Sequence, residues 1–447
     1  MPSELENYEW QVKTATARGV ADAVSQAIRD GILVAGVKLP PIRSMARQLN
    51  MSPTTISAAW SILVRSGTIR TEGRRGTTVA EVRSGSARYR QALEKQATFE
   101  LDLSTGIPDP DLLPRLGNAL KGLTAATPGS YLDDPILPGL LEALRADWPY
   151  EAEEFAIVDG AMDALDLVTR SLIGFGDRVI VENPTFPLLL DLIEATGADV
   201  VGVPVDDEGL IPVALAEALQ PAATAVILQP RAQNPTGASL GLVRAEDLAR
   251  IVRAPGVIVI EDDSAGSVSM APPISLGRWI PDQVLHVRSF SKSHGPDVRL
   301  AALSGPIELM RGINARRQLG QGWSSRILQR ILLGLLTDQQ SIAQVTYARE
   351  EYQRRRDAMV AALAERDVRV PGSDGVNIWV PVVDELAAIV RLASQGIGVT
   401  PGTPFAVLPD QQSHIRITVA TIAEHHAELA EQIALASRTG GWRQGRL

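Results

Sequence analysis

The stretch Ser289-Phe290-Ser291-Lys292-Ser293-His294-Gly295-Pro296-Asp297-Val298-Arg299 decides how the chain is read. It follows Val284-Leu285-His286-Val287, a run that predicts a buried strand. Lys292 therefore stands where a strand passes into a loop, a place from which a side chain reaches into a cleft. The flanking hydroxyls, with Arg299 seven residues on, suit an anionic group. The amine suits a carbonyl. A solvated surface lysine with an arginine nearby explains the stretch alone about as well, so the rest of the chain decides.

Outward from Lys292, short β-branched runs recur at Ala156–Val158, Arg178–Val181, Ala225–Leu228 and Val257–Ile260. Amphipathic helices are expected between several of them, as at Met162–Ile173 and Pro187–Thr196. This alternation predicts an α/β fold with a largely parallel sheet, whose ligands sit at the carboxyl ends of the strands. The polar motifs fall at those ends. Asp159-Gly160-Ala161 joins a strand to a helix, where backbone amides favour a phosphate. Pro184-Thr185-Phe186 offers an aromatic ring on a loop, and Asn234-Pro235-Thr236-Gly237 a side-chain amide on a turn. Glu261-Asp262-Asp263 ends an apolar strand with carboxylates suited to a protonated ring nitrogen. In Ile415-Arg416-Ile417-Thr418-Val419, Arg416 suits a carboxylate or a structural ion pair.

The order and spacing of these motifs resemble the fold-type I aminotransferases, whose signature runs S-G-A, P-x-aromatic, N-P-x-G, D-D-Y, S-x-S-K, R and a late R. The resemblance spans nearly all of residues 101–437. It implies pyridoxal 5'-phosphate as cofactor, bonded covalently by Lys292, the one catalytic residue expected. Asp262 then pairs with the ring nitrogen, Asn234 contacts the ring oxygen and Phe186 stacks on the ring. Gly160, Ala161, Ser289, Ser291 and Arg299 hold the phosphate. Tyr131, in Ser130-Tyr131-Leu132, matches a tyrosine that reaches the phosphate of a partner subunit. Arg416 takes a substrate or effector carboxylate, and Gly106 belongs to the loop over it. One departure bears on chemistry. Ser264 stands where the family places a tyrosine that bonds the ring oxygen, so cofactor binding is expected and efficient transamination is not.

The amino-terminal segment reads differently. Val20, Val24 and Ile28 mark one helical face, and Ile42, Met45, Ala46 and Leu49 a second helix. Ser52-Pro53 starts a third, with Ile56, Ala59, Trp60, Leu63 and Val64 on its apolar side. Gly67–Arg70 and Thr77–Ala80 predict a hairpin whose tip carries Arg74, Arg75 and Gly76. Between residues 37 and 80 the bases are Lys38, Arg43, Arg47, Arg65, Arg70, Arg74 and Arg75, against Glu72 alone, although the whole chain carries a net charge of −9. A basic segment in an acidic protein points to a polyanion. Three helices and a basic wing make a winged helix-turn-helix, its third helix in the major groove of double-stranded DNA. The segment resembles the GntR-type reader, in Leu39-Pro-Pro-Ile-Arg43-Ser-Met-Ala46, Ser52-Pro-Thr-Thr-Ile56 and Gly73-Arg-Arg-Gly-Thr77. Arg43, Ser52, Thr54, Thr55, Arg74, Arg75 and Gly76 are the DNA contacts expected from this segment. Pro53 stands where that family usually has an arginine.

The 447 residues exceed what one core usually serves. The expected division is a reader at 8–83, a polar linker at 84–100 and a pyridoxal phosphate-binding body at 101–447. Apolar residues at 45% and charged residues at 21% are an ordinary globular balance, and the absence of cysteine excludes disulfides and thiolate chemistry. The five histidines show no metal-ligand spacing. The start is not a signal peptide and no apolar run is long enough to span a membrane, so a cytoplasmic protein is expected. The combined layout is similar to the MocR subfamily of transcription regulators. It implies a homodimer whose body senses the cofactor or a small amine or amino-acid effector. The alternative is a working aminotransferase with an appended reader.

Overall fold

The computed structural model describes residues 10–12, 14–29, 32–34, 36–65, 69–71, 76–79, 99–121, 123, 130–253, 256–408 and 412–440. Helices α1 (Ala17–Arg29), α2 (Ile42–Gln48) and α3 (Pro53–Arg65) precede an antiparallel hairpin of β1 (Ile69–Thr71) and β2 (Thr77–Val79). The Ser52 hydroxyl accepts the Thr55 backbone N–H at 3.0 Å, and Pro53 opens α3. Both features start a helix at this point. Val20, Val24, Met45, Ile56, Ala59, Trp60, Leu63, Ile69 and Val79 close one core. The sequence had placed these faces correctly, apart from Val64, which is exposed. The tip residues Arg74 and Arg75 and nearly all of the linker lie outside the described residues.

The body begins at β3 (Leu101–Asp102). Eight strands then form one sheet: β4 (Glu154–Val158), β5 (Arg178–Asn183), β6 (Asp199–Asp206), β7 (Gly209–Leu210), β8 (Ala225–Leu228), β9 (Ile258–Asp263), β10 (Val284–Ser289) and β11 (Ala301–Gly305). Their order is β4-β11-β10-β9-β8-β5-β6-β7. The middle run from β10 to β6 is parallel, whereas β11 is antiparallel to both β10 and β4, and β7 to β6. The sheet is therefore more mixed than the alternation suggested: β10 turns directly back into β11 without a crossover helix.

Both faces of this sheet are covered, which is why its strands are apolar throughout. Ile180, Val226, Val259 and Val284 point to one core. Val179, Val181, Ile227, Ile260 and Val287 point to another, against α4 (Ala161–Leu172) and α5 (Pro187–Ala195). A third core lies under a small sheet of β12 (Asn377–Pro381), β14 (Thr400–Pro401) and β15 (His414–Thr418). There β3 pairs in parallel with β13 (Ile397–Gly398), which brings the following Ser104–Gly106 loop beside β15. The reader touches the body through α1. Arg18 donates to the Phe175 carbonyl at 2.7 Å and lies 3.2 Å from the Asp177 carboxylate, in the turn between α4 and β5. Among the described residues no helix is long and apolar enough to cross a membrane.

Candidate cofactor site and DNA-reading face

The strand exits gather the predicted residues. Ser289 pairs with Ala301, and Ala301 pairs with Val158, so the ends of β10, β11 and β4 lie side by side. Lys292 follows within the single turn α6 (Ser291–His294). Ser289 and Ser291 share a hydrogen bond of 3.0 Å. Gly160 caps α4 at φ 106°, a conformation that favours glycine. A Cβ there would stand 3.4 Å from the Arg299 guanidinium, which therefore lies over the α4 N-terminus and Ala161. Helix amides, an arginine and two hydroxyls converge on a cradle for a phosphate.

Among the residues expected at the ring, Asp262 is only 2% exposed. Burial pushes its carboxyl up; hydrogen bonds from Ser264 and Gln229, and the Lys292 charge, oppose this. Burial also lowers the Lys292 amine, with Asp262 pulling the other way and Arg416 reinforcing it. A lowered pKa keeps more of the amine in its nucleophilic form. Asn234 receives Arg416 Nη1 on its Oδ1 at 3.3 Å. Arg416 also donates to the Ser104 carbonyl and, at 3.2 Å, to Thr400 Oγ1. Gly106 lies against the same guanidinium and donates its N–H to Thr418 at 2.8 Å. Phe186 opens α5, half-buried at the edge of the sheet core.

Two of the residues named from the sequence make other contacts within this chain. Ser264 does not stand in for the missing phenol: its hydroxyl turns to Asp262 Oδ1. Tyr131 faces outward at 88% exposure, edge-on to Trp323 at 5.8 Å.

Behind the residues expected at the ring lies a layer that no sequence motif marked. Gln229 donates to Asp262 Oδ2 at 2.7 Å and accepts the Asn234 N–H at 2.7 Å. Gln233 joins Glu182 at 3.3 Å and the Pro184 carbonyl at 2.7 Å. Burial lifts Glu182 to about 8, against hydrogen bonds from Gln229 and Gln233. Arg231 forms a buried double contact with Asp263, at 2.6 and 3.1 Å. The available signal was a carboxylate at the end of the apolar strand β5, and polar side chains alternating through Gln229-Pro-Arg231-Ala-Gln233.

On the reader, Arg43 and Thr54 are exposed, on α2 and at the start of α3. Thr55 is half-buried, and its hydroxyl lies 2.8 Å from that of the exposed Ser52. Gly76 adopts φ 95° against the Lys38 stem at the base of the wing.

The residues present fit pyridoxal phosphate: a half-buried lysine, a buried carboxylate whose charge acts on it, and a phosphate cradle that a side chain at Gly160 would crowd. Comparison with known proteins agrees. Residues 100–433 match the aminotransferase class I and II family, and residues 16–79 the gntR family of bacterial regulatory proteins. The chain is 34% identical to the vitamin B6 salvage pathway transcriptional repressor PtsJ of Salmonella typhimurium, over 91% of this chain and 95% of that protein. It is 26% identical to the HTH-type transcriptional regulator TauR of Rhodobacter capsulatus, over 86% and 88%. The body superposes on Thermus thermophilus aspartate aminotransferase with maleate at a TM-score of 0.68, 26% identical, covering 78% of this chain and 95% of that one. An archaeal alanine:glyoxylate aminotransferase shares the fold, with a TM-score of 0.71 at 24% identity over 79% and 95%. A gntR-type reader joined to a body of a pyridoxal phosphate-dependent fold places the chain in the MocR family of transcription regulators.

Proposed function

We propose that this regulator holds pyridoxal 5'-phosphate at Lys292 and reports its presence to DNA through the reader. The observation that carries the reading is the Ser264 hydroxyl on Asp262. The ring-nitrogen anchor is kept and reinforced, while the phenol that serves transamination is absent. When bound, the cofactor supplies an aldehyde that takes an amine covalently and a ring that withdraws electrons. The chain's own residues hold it: Arg299, Gly160, Ala161, Ser289 and Ser291 at the phosphate, Asp262 and Asn234 at the ring, Phe186 against its face. The name of the Salmonella relative supports the cofactor itself as the signal.

A second reading, a small amine or amino acid as effector, is favoured by Arg416, whose guanidinium stands beside Asn234 and acts on Lys292. A carboxylate arriving there would compete for the Arg416 donors. The protein acts in the cytoplasm as a homodimer, with the outward Tyr131 reaching the partner's phosphate. The exposed Leu132 beside it supports a covered face.

The reader is proposed to lay α3 in the major groove of double-stranded DNA, with Ser52, Thr54 and Thr55 toward base edges. Arg43, Arg74, Arg75 and Gly76 then meet the backbone or the minor groove. Arg43→Ala should weaken binding about equally on all sequences. It should also reduce the slope of log affinity against log salt by about 1, measured by anisotropy on DNA flanking the coding region.

A spectral titration with pyridoxal 5'-phosphate, paired with a keto-acid turnover assay, tests the reading. Saturable binding with negligible turnover supports it. Sustained turnover of an amino acid would make the body an aminotransferase instead.

A further inference from the structure

The Asp262 carboxylate is held from both sides. Ser264 Oγ donates to Oδ1, and Gln229 Nε2 donates to Oδ2 at 2.7 Å. The same Gln229 amide accepts the Asn234 N–H at 2.7 Å through its oxygen. One side chain thus sets the separation between the ring-nitrogen partner and the ring-oxygen partner. Gln229 is itself fixed, because its backbone N–H donates to the buried Glu182 at 3.1 Å.

We propose that Ser264 and Gln229 are positioning residues that clamp Asp262 in its ionised form and aim it at the cofactor's ring nitrogen. Ser264 is then a gain as well as a loss: the hydroxyl that cannot reach the ring oxygen serves the carboxylate instead. The inference rests on the reading that pyridoxal phosphate occupies the site.

The electrostatics favour this division of work. A buried carboxyl resists ionisation, and donors that bond its charged form offset that resistance. Around Asp262, Lys292 approaches from α6 and favours the charge. Glu182, on β5, is pushed up to about 8, which favours its neutral form and lessens its repulsion. Asp263, next along β9, disfavours the charge, but Arg231 and Arg288 lie 2.6 and 3.5 Å from it and His286 lies 3.7 Å away, which offsets its field. The Ser264 and Gln229 donors are the remaining terms that a mutation can remove cleanly.

The sign follows. Ring binding through Asp262 requires its ionised form, so affinity is lost as pH falls through its pKa. Removing a donor raises that pKa, and the loss begins at higher pH. The test uses the full chain and 4'-deoxypyridoxine 5'-phosphate, which lacks the aldehyde and so cannot bond Lys292. Affinity is measured by calorimetric titration across pH and expressed relative to wild type, which cancels the ligand's own titration. Ser264→Ala and Gln229→Met should each move the acid midpoint up by about one pH unit, the worth of one hydrogen bond to a charged group. Ser264→Thr should restore it. Ser264 is half-buried, so its pair of variants decides the matter even if Gln229→Met fails to fold. A uniform loss at every pH, or an unmoved midpoint, overturns the clamp while leaving cofactor binding intact. A wild-type protein that binds neither this ligand nor pyridoxal 5'-phosphate overturns both readings.

Discussion

Lys292→Ala is expected to abolish the long-wavelength absorbance band that pyridoxal 5'-phosphate should acquire with the wild-type protein, and borohydride should no longer fix the cofactor to the chain. The only amine in the cluster is removed, so the effect is complete rather than graded. Residual, reversible binding remains, because Arg299, the α4 N-terminus, Asp262 and Asn234 are untouched. The fold is not expected to suffer. Burial lowers the Lys292 pKa, which means that its charge opposes folding at neutral pH. A melting temperature equal to or above wild type is therefore expected. Retention of the band in Lys292→Ala would move the covalent contact to another lysine.

Arg231→Ala is expected to destabilise the body by about 3 kcal/mol, toward the low end of the 3–5 kcal/mol typical of a broken buried ion pair. Asp263 is 1% exposed and loses a bidentate partner. The loss is moderated because Arg288 and His286 remain at 3.5 and 3.7 Å. Burial alone would raise the Asp263 carboxyl; Arg231, His286 and Arg288 outweigh it and hold it well below the usual carboxylate range. A depressed carboxylate stabilises the fold above its unfolded pKa, and that stabilisation is lost as pH falls through the folded value. Acid unfolding of Arg231→Ala should accordingly begin at higher pH than in wild type, as followed by circular dichroism. Arg231→Met combined with Asp263→Leu should recover only part of the stability, since Arg288 keeps Asp147 at 2.9 Å and His286 keeps Glu261 at 2.7 Å but both lose Asp263. A double variant no better than Arg231→Ala would show that Asp263 matters through other partners.

These two residues also mark what could be read from the chain alone. Lys292, Asp262, Asn234, Arg299 and Gly160 were legible because each sits at a strand end, where an α/β fold exposes side chains. The reader was legible because its apolar faces repeat at helical spacing and its bases cluster. The layer behind the residues expected at the ring was not. Arg231 and Asp263 lie 32 residues apart, on adjacent strand ends, and only the β8–β9 pairing brings them together. Gln229 and Gln233 carry no charge and look like loop polarity until their amides are seen to bridge Asp262, Asn234 and Glu182. Ser264 was recognised as a missing phenol, yet its own bond to Asp262 depends on a rotamer that no spacing rule encodes. The direct return of β10 into β11 was hidden for a similar reason: strand runs announce themselves by composition, whereas their direction depends on the connection.

The reader and the body meet where Arg18 reaches Phe175 and Asp177, in the turn between helix α4 and strand β5. A ligand changes DNA binding only through unequal affinity for two arrangements of the molecule, typically worth 1–3 kcal/mol or about 5–150-fold. The most direct measurement is the affinity of the full-length protein for DNA flanking its own coding region, with and without saturating pyridoxal 5'-phosphate, at fixed salt. A change within that range in the wild type, lost in Lys292→Ala, is the expected result. An affinity that stays the same while the cofactor is bound at Lys292 would contradict a cofactor-sensing regulator.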